Sequence, residues 1–238
     1  MKAPIPHPLT LAERLIVALD VHDLDQARAL VDQLHPLAPV VKIGFHSLFS
    51  GGLDLARDLA RQGIKVFLDA KLYDIPATVE SGARALAQNG FWCMTAHGIS
   101  QNIRAAVAGT AGTDLRVLGV TVLTSMDQSH LSADGLERSV QDQVLLRAAQ
   151  TLTAGAQGLI ASPHEVTTLR QQFGDSPIII TPGIRPRGSA GDDQVRIMTP
   201  GQAIAAGADA LVIGRPLIQS AAPRDTAQSI LDEIAHAL

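Results

Sequence analysis

Eight short apolar runs recur along this chain, each followed by a longer amphipathic stretch, and that alternation constrains the fold more than any other feature. The runs are Leu15–Asp20, Pro39–Gly44, Ile64–Ala70, Phe91–His97, Leu115–Leu123, Gln157–Ala161, Pro177–Pro182 and Asp209–Gly214. They are rich in Val, Ile and Leu, the composition of parallel strands covered on both faces. The intervening stretches predict helices over Asp23–Leu34, Leu48–Gln62, Ala77–Asn89, Ile103–Gly109, Val140–Ala154, Pro163–Phe173, Pro200–Ala206 and Thr226–Ala237. Asp23 stands in cap position before the first, and Gly63, Gly90, Gly155, Gly174 and Gly207 stand near the ends of others. Strand then helix, eight times over, is the pattern of an α/β fold closed as a (β/α)8 TIM barrel. An open doubly wound sheet is the alternative, and the regularity of eight units favours closure.

A length of 238 residues suits one barrel of this kind. With no linker or shift of composition, residues 1–238 read as one domain, residues 1–14 forming a short N-terminal arm. Both signs of charge are interspersed and sum to −4, which speaks against a general nucleic-acid binder. No run of about 18 apolar residues occurs, so no membrane span is expected. Residues 1–10 lack the apolar stretch of a secretory leader. Cys93 is the one cysteine, so no internal disulfide forms, and the expected location is the cytoplasm.

A barrel carries its chemistry at the C-terminal ends of its strands, and the first three strands end in charge. The first stops on Asp20, the second carries Lys42, and the third ends with Asp69 and Lys71; Asp74 follows past the strand. Alternation places Asp69 and Lys71 on one face, toward the mouth, and Ile64, Val66 and Leu68 on the other, toward the helices. Lysines and aspartates brought together offset the cost of burial by pairing. They also make a preorganised field, suited to stabilising charge that develops in a reaction. A lysine among carboxylates can stabilise a carbanion and then protonate it. Taken alone, Asp69 and Lys71 also suit an ordinary ion pair, and spacing does not name the reaction.

The opposite side of the mouth reads as an anion site. Strand eight ends on Gly214, which permits close approach of a ligand, followed by Arg215 and Pro216, with Pro216 at the first position of a short helix. Barrels commonly bind phosphate after strands seven and eight, and Arg215 supplies a forked, permanent charge. Strand seven leads into Thr181-Pro-Gly-Ile-Arg185, and the long Gly-, Ser- and Asp-rich segment up to Thr199 reads as a lid, with Gln194 reaching the ligand from it.

The segment Asp69-Ala-Lys-Leu-Tyr-Asp-Ile-Pro-Ala-Thr78 resembles the Asp-x-Lys-x-x-Asp-Ile-Pro-x-Thr motif of the orotidine 5′-phosphate decarboxylase family. Leu15–Asp20, Val41–Gly44, Leu123–Met126, Thr181–Arg185 and Ile213–Pro216 are also similar, in the family's order and across nearly the whole chain. The resemblance implies a TIM barrel that converts orotidine 5′-monophosphate to UMP and carbon dioxide with neither metal nor organic cofactor. It implies a homodimer with sites at the subunit interface. By position, Lys71 is the lysine that protonates the C6 carbanion, and Asp69 lies beside the departing carboxylate. Lys42 holds Asp69 and contacts the ribose with Asp20. Asp74, Ile75 and Thr78 belong to the substrate site, with Asp74 and Thr78 entering that of the neighbouring subunit. Thr124 and Ser125 approach the pyrimidine, while Arg185, Gln194, Gly214 and Arg215 hold the phosphate side.

Two positions depart from the family pattern. Ala77 stands where a polar residue is expected, and Ala96-His-Gly-Ile-Ser100 replaces a His-Ala-x-Gly-Gly sequence. His97 is read as structural, and Trp92 and Cys93 as packing residues. The nearest rivals are the magnesium-dependent sugar-phosphate enzymes of the same superfamily, against which Arg185 and the lid glutamine argue. A noncatalytic phosphate-ligand sensor is the rival of a different class.

Overall fold

Eight parallel strands close on themselves in chain order in the computed structural model, which describes residues 9–186 and 198–238. They are β1 (Leu15–Ala18), β2 (Val40–Gly44), β3 (Lys65–Leu72), β4 (Cys93–His97), β5 (Arg116–Val120), β6 (Gly158–Ile160), β7 (Ile178–Thr181) and β8 (Ala210–Ile213). Pairing of β1 with β8 completes the ring, so the open-sheet alternative is set aside. The main helix after each strand is, in turn, α1 (Leu24–Leu34), α2 (Leu53–Arg61), α3 (Pro76–Ala87), α4 (Ser100–Gly109), α5 (Val140–Thr153), α6 (Val166–Phe173), α7 (Pro200–Ala205) and α8 (Pro223–Ala237).

The alternation of side chains sorts the apolar residues into two cores. Ile16, Val40, Phe67, Leu118, Ile178, Ile180 and Val212 fill the barrel interior, and Leu9 joins them from the arm. Leu15, Val17, Val41, Val66, Leu68 and Leu159 point outward to the helices. Helix α1 shows the matching stripe: Ala27, Leu30, Val31 and Leu34 are buried, three or four residues apart. Asp23 caps it by accepting from the backbone N–H groups of Asp25 and Gln26. Burial of a large apolar side chain such as Phe67 stabilises the fold by about 1.5–3 kcal/mol. The interior core therefore forms a firm floor beneath the strand ends. Residues 12–14 form a single turn tied to the strand starts, Glu13 pairing with Lys65 and Arg14 donating to the carbonyl of Asp209. The rest of the expected arm, residues 1–8, lies outside the described residues.

Several boundaries differ from the sequence expectation. The helix expected from Leu48 begins at Leu53. Ahead of it the chain makes a turn at Phe45–Ser47 and a distorted one at Leu48–Gly52, broken at Ser50 and at Gly51, whose φ is 88°. Gly51 adopts a conformation that costs other residues energy. A β-carbon on Gly52 would fall 2.5 Å from the carbonyl oxygen of Ser47, so only glycine fits. A helix at Gln128–Ala133 was not anticipated; its reciprocal cap between Asp127 and His130 is a short polar signal with no apolar stripe. Helix α4 starts at Ser100, and α8 starts at Pro223. Strands β1 and β5 stop at Ala18 and Val120, short of their apolar runs, whereas β3 continues to Leu72. Among the described residues no helix is long and apolar enough to cross a membrane.

Candidate active site

The mouth at the C-terminal strand ends holds a cavity of about 320 Å3. Charged residues from β1–β3 line one side, and Arg185, Gly214 and Arg215 line the other. The parallel registers place Ala18 beside Lys42 and Gly44 beside Asp69, which brings the ends of three successive strands together.

The charges form a chain of alternating sign. Lys42 Nζ lies 3.1 Å from Asp20 Oδ1 and 3.7 Å from Asp69 Oδ2; Lys71 Nζ lies 2.6 Å from that same Asp69 oxygen. Exposure grades along the chain: the side chains of Lys42 and Asp69 are 10% and 12% exposed, Lys71 26% and Asp20 42%. Burial opposes ionisation of Asp69. The Lys42 and Lys71 ammonium groups, with hydrogen bonds from Lys71 and Thr95, outweigh it and hold the carboxyl below its ordinary value. The group is thus a fixed carboxylate flanked by two cations.

A backbone irregularity aims this pair. In the β3–β4 ladder Leu68 pairs with Met94 and Leu72 with Ala96, so Asp69, Ala70 and Lys71 together face the single residue Thr95. Lys71 has φ of 41° and is the one described non-glycine residue with positive φ. Such backbone is costly away from glycine and concentrates at functional sites. The Asp20 loop is held separately: buried Ser47 donates through its hydroxyl to the carbonyls of Leu19 and Val21, on either side of Asp20.

Across the cavity Gly214 caps a four-residue helix, Arg215–Ile218, so Pro216 takes the second helical position and not the first. A β-carbon on Gly214 would lie 3.4 Å from the Ala18 Cβ and 3.8 Å from Asp20 Oδ2. Arg185 is buried, its backbone N–H donating to the Met198 carbonyl at 3.0 Å and its guanidinium to that of Ile184 at 2.8 Å. The chain thus enters and leaves the 187–197 segment through one bridge between Ile184 and Met198. Val120, Ile160 and Val212 form the apolar floor, and Thr124 and Ser125 stand at the rim.

Residues 13–230 match the model of the orotidine 5′-phosphate decarboxylase / HUMPS family. The chain belongs to this family. It is 46% identical to the orotidine 5′-phosphate decarboxylase of Rhodopseudomonas palustris strain BisA53, over 97% of this chain and 98% of that protein. The enzyme of the same name from Afipia carboxidovorans is 46% identical, over 96% of this chain and 97% of its own length. Among solved structures, orotidine 5′-phosphate decarboxylase from Lactobacillus acidophilus superposes with a TM-score of 0.80 at 35% identity, covering 93% of this chain and 99% of that one.

Of the residues expected from the family motif, Asp20, Lys42, Asp69, Lys71, Thr124, Ser125, Arg185, Gly214 and Arg215 all line the one cavity. Asp74, Ile75 and Thr78 do not. They are exposed on the turn into α3 and its first residues, where the Asp74 carboxylate accepts from the Ile75 N–H at 2.6 Å and Pro76 opens the helix. Gln194 lies outside the described residues. His97 packs against Tyr73, with ring centroids 5.4 Å apart; burial, Arg147 and Lys71 lower its pKa and favour a neutral ring. Trp92 and Cys93 are buried in the interior core, as their positions suggested. Sequence reasoning passed over Thr95, which alternation places on the interior face with Cys93 as the only hydroxyl of β4. It also passed over Phe45, whose ring centroid lies 5.8 Å from Lys71 Nζ.

Proposed function

We propose that this chain decarboxylates orotidine 5′-monophosphate to UMP and carbon dioxide, with neither metal nor organic cofactor. The observation that carries this reading is the fixed run Asp20–Lys42–Asp69–Lys71 facing a cationic anion site across one cavity. Arg215, Arg185 and the Gly214 backbone hold the phosphate. Asp20 and Lys42 take the ribose hydroxyls, and Thr124 and Ser125 the pyrimidine. That arrangement sets the substrate carboxylate near Asp69 and C6 near Lys71.

The bond between C6 and the carboxylate breaks, and its electron pair remains on C6 as carbon dioxide leaves. The Lys71 ammonium, already beside the developing charge, then transfers a proton to C6 and later regains one from solvent. A vinylic carbanion of this kind has no electron sink, so stabilisation comes from preorganised charge and from binding energy at the distant phosphate and ribose. Lys42 keeps Asp69 ionised and in place. Asp69 in turn fixes Lys71, so the proton donor requires little reorganisation when charge appears.

The site takes Asp74, Ile75 and Thr78 from a second copy of the chain, with Asp74 joining the charged run. This is supported by their exposure, by their absence from the chain's own cavity lining, and by the exposed apolar Phe45, Phe49, Tyr73 and Ile75 around the mouth. The enzyme is a single-domain barrel working as a homodimer in the cytoplasm, in keeping with its single, buried thiol.

The test is loss of substrate absorbance on adding purified protein to orotidine 5′-monophosphate, after exhaustive treatment with EDTA. Turnover that persists supports the reading. No turnover with or without magnesium overturns it in favour of a binding protein or a metal-dependent sugar-phosphate enzyme; turnover restored only by magnesium overturns its metal-free chemistry.

A further inference from the structure

We infer that Thr95 is a positioning residue, whose hydroxyl sets the place of Lys71 relative to Asp69. The inference rests on the decarboxylase reading above. Thr95 sits on β4, fully buried, opposite the three bulged residues of β3. Its Oγ1 accepts from the Lys71 backbone N–H at 2.9 Å and donates to Asp69 Oδ1 at 2.8 Å. The other Asp69 oxygen accepts from Lys71 Nζ at 2.6 Å. Both ends of Lys71, backbone and ammonium, are therefore tied to one carboxylate, the first through Thr95 and the second directly.

The bulge explains why a hydroxyl is needed there. Three residues facing one leave the regular ladder without a partner for each N–H, and a buried N–H must find an acceptor. Thr95 supplies that acceptor with its side chain. A hydroxyl also has a donor to place, and the nearest acceptor is the carboxylate that already holds the Lys71 ammonium. An apolar residue of equal shape would satisfy neither. Lys71 would then lose the contact that holds φ at 41°, and Asp69 would lose its orientation about the Cβ–Cγ bond.

Thr95 lies beneath the charged residues and is absent from the cavity lining, so its effect on substrate is indirect. A displacement of about 1 Å in a reacting group lowers rate on the order of 10²-fold. The expected result for Thr95→Val is thus a kcat lower by about 10²-fold with KM within about twofold of wild type. Thr95→Ser, which keeps the hydroxyl, should restore kcat to within about fivefold. Should Thr95→Val not fold, Thr95→Ser against Thr95→Ala makes the same comparison, since those two differ by the hydroxyl alone. Equal losses in serine and hydroxyl-free variants assign the effect to the methyl group and overturn the inference. A rise in KM at unchanged kcat, or wild-type rates in the hydroxyl-free variant, also overturns it. Failure of the wild-type protein to turn over orotidine 5′-monophosphate sinks the underlying reading instead, so the two failures are distinct.

Discussion

The ammonium of Lys42 occupies space that a β-carbon on Gly44 would claim: the two positions are 3.0 Å apart. Gly44 follows Lys42 by two residues on β2 and pairs with Asp69 across the ladder, so it leaves room for the lysine to lie between Asp20 and Asp69. Its φ of −122° and ψ of −169° are open to any residue. Gly44→Ala should therefore act through Lys42 and not through backbone strain. The expectation is a kcat/KM reduced by up to about 10-fold, with a melting temperature within a few degrees of wild type, read by steady-state kinetics beside calorimetry. Unchanged kinetics would show that the ammonium has other space to use.

Lys71→Ala removes the proposed proton donor. General acid catalysis and electrostatic stabilisation together are worth on the order of 10⁴-fold, and kcat should fall by at least that much. Lys71 lies at the mouth, outside both apolar cores, and Lys42 still pairs with Asp69 in its absence, so circular dichroism should report a native fold. A variant with near-normal rate would move the proton donor elsewhere.

Arg215→Ala weakens the other end of the site. A charge-assisted hydrogen bond to phosphate contributes about 1.5–3 kcal/mol, so kcat/KM should fall about 10-fold to 10²-fold. The loss should be smaller with orotidine lacking the 5′-phosphate, because that substrate never makes the contact. Equal losses with both substrates would mean that Arg215 does not serve the phosphate.

Asp69 gives a pH signature in stability. Its ordinary value is 3.8, and in the folded chain Lys42, Lys71 and Thr95 outweigh burial and depress it. Stabilisation by the ionised form is thus fully present above the unfolded value and is lost as pH falls through the lower folded value. The difference in unfolding free energy between wild type and Asp69→Asn should be flat above about pH 4.5 and should change in the wild type's disfavour at lower pH. Denaturant melts at several pH values check this; a flat difference throughout would deny Asp69 a depressed pKa.

A shared site has a distinct signature in subunit mixtures. Lys71→Ala and Asp74→Ala, each inactive alone, should recover activity when exchanged at equal amounts. Half of randomly formed dimers are mixed, and each mixed dimer has one intact site, so about a quarter of wild-type activity should return. Two inactive variants that stay inactive after verified exchange would place Asp74 in its own chain's site, or in none.

Much of the site was legible in sequence because its parts follow one local rule. Strand alternation carries Asp69 to the mouth and turns Val66 and Leu68 to the helices, and both outcomes hold in the fold; Lys71 also reaches the mouth, but through the bulge and not through regular alternation. Gly214 and Arg215 were found in the same way, from the end of a strand leading into a short helix. Helix starts were less secure. The distorted turn at Leu48–Gly52 depends on contact with Ser47, and the cap at Asp127 lacks an apolar stripe to announce it.

Eight strand–helix units, the sign and order of the charged strand ends, and membership of the family are all legible in the order of residues. Each of these rests on short-range periodicity, or on residue types at fixed spacing. Tertiary structure alone decided the closing pair β1–β8, the bulge that sets Lys71 at positive φ, and the joining of Thr95 to Asp69 across 26 residues of chain. The reason is physical: a barrel's register is fixed by pairing between strands far apart in sequence, and only that register tells a buried hydroxyl which neighbours it must satisfy.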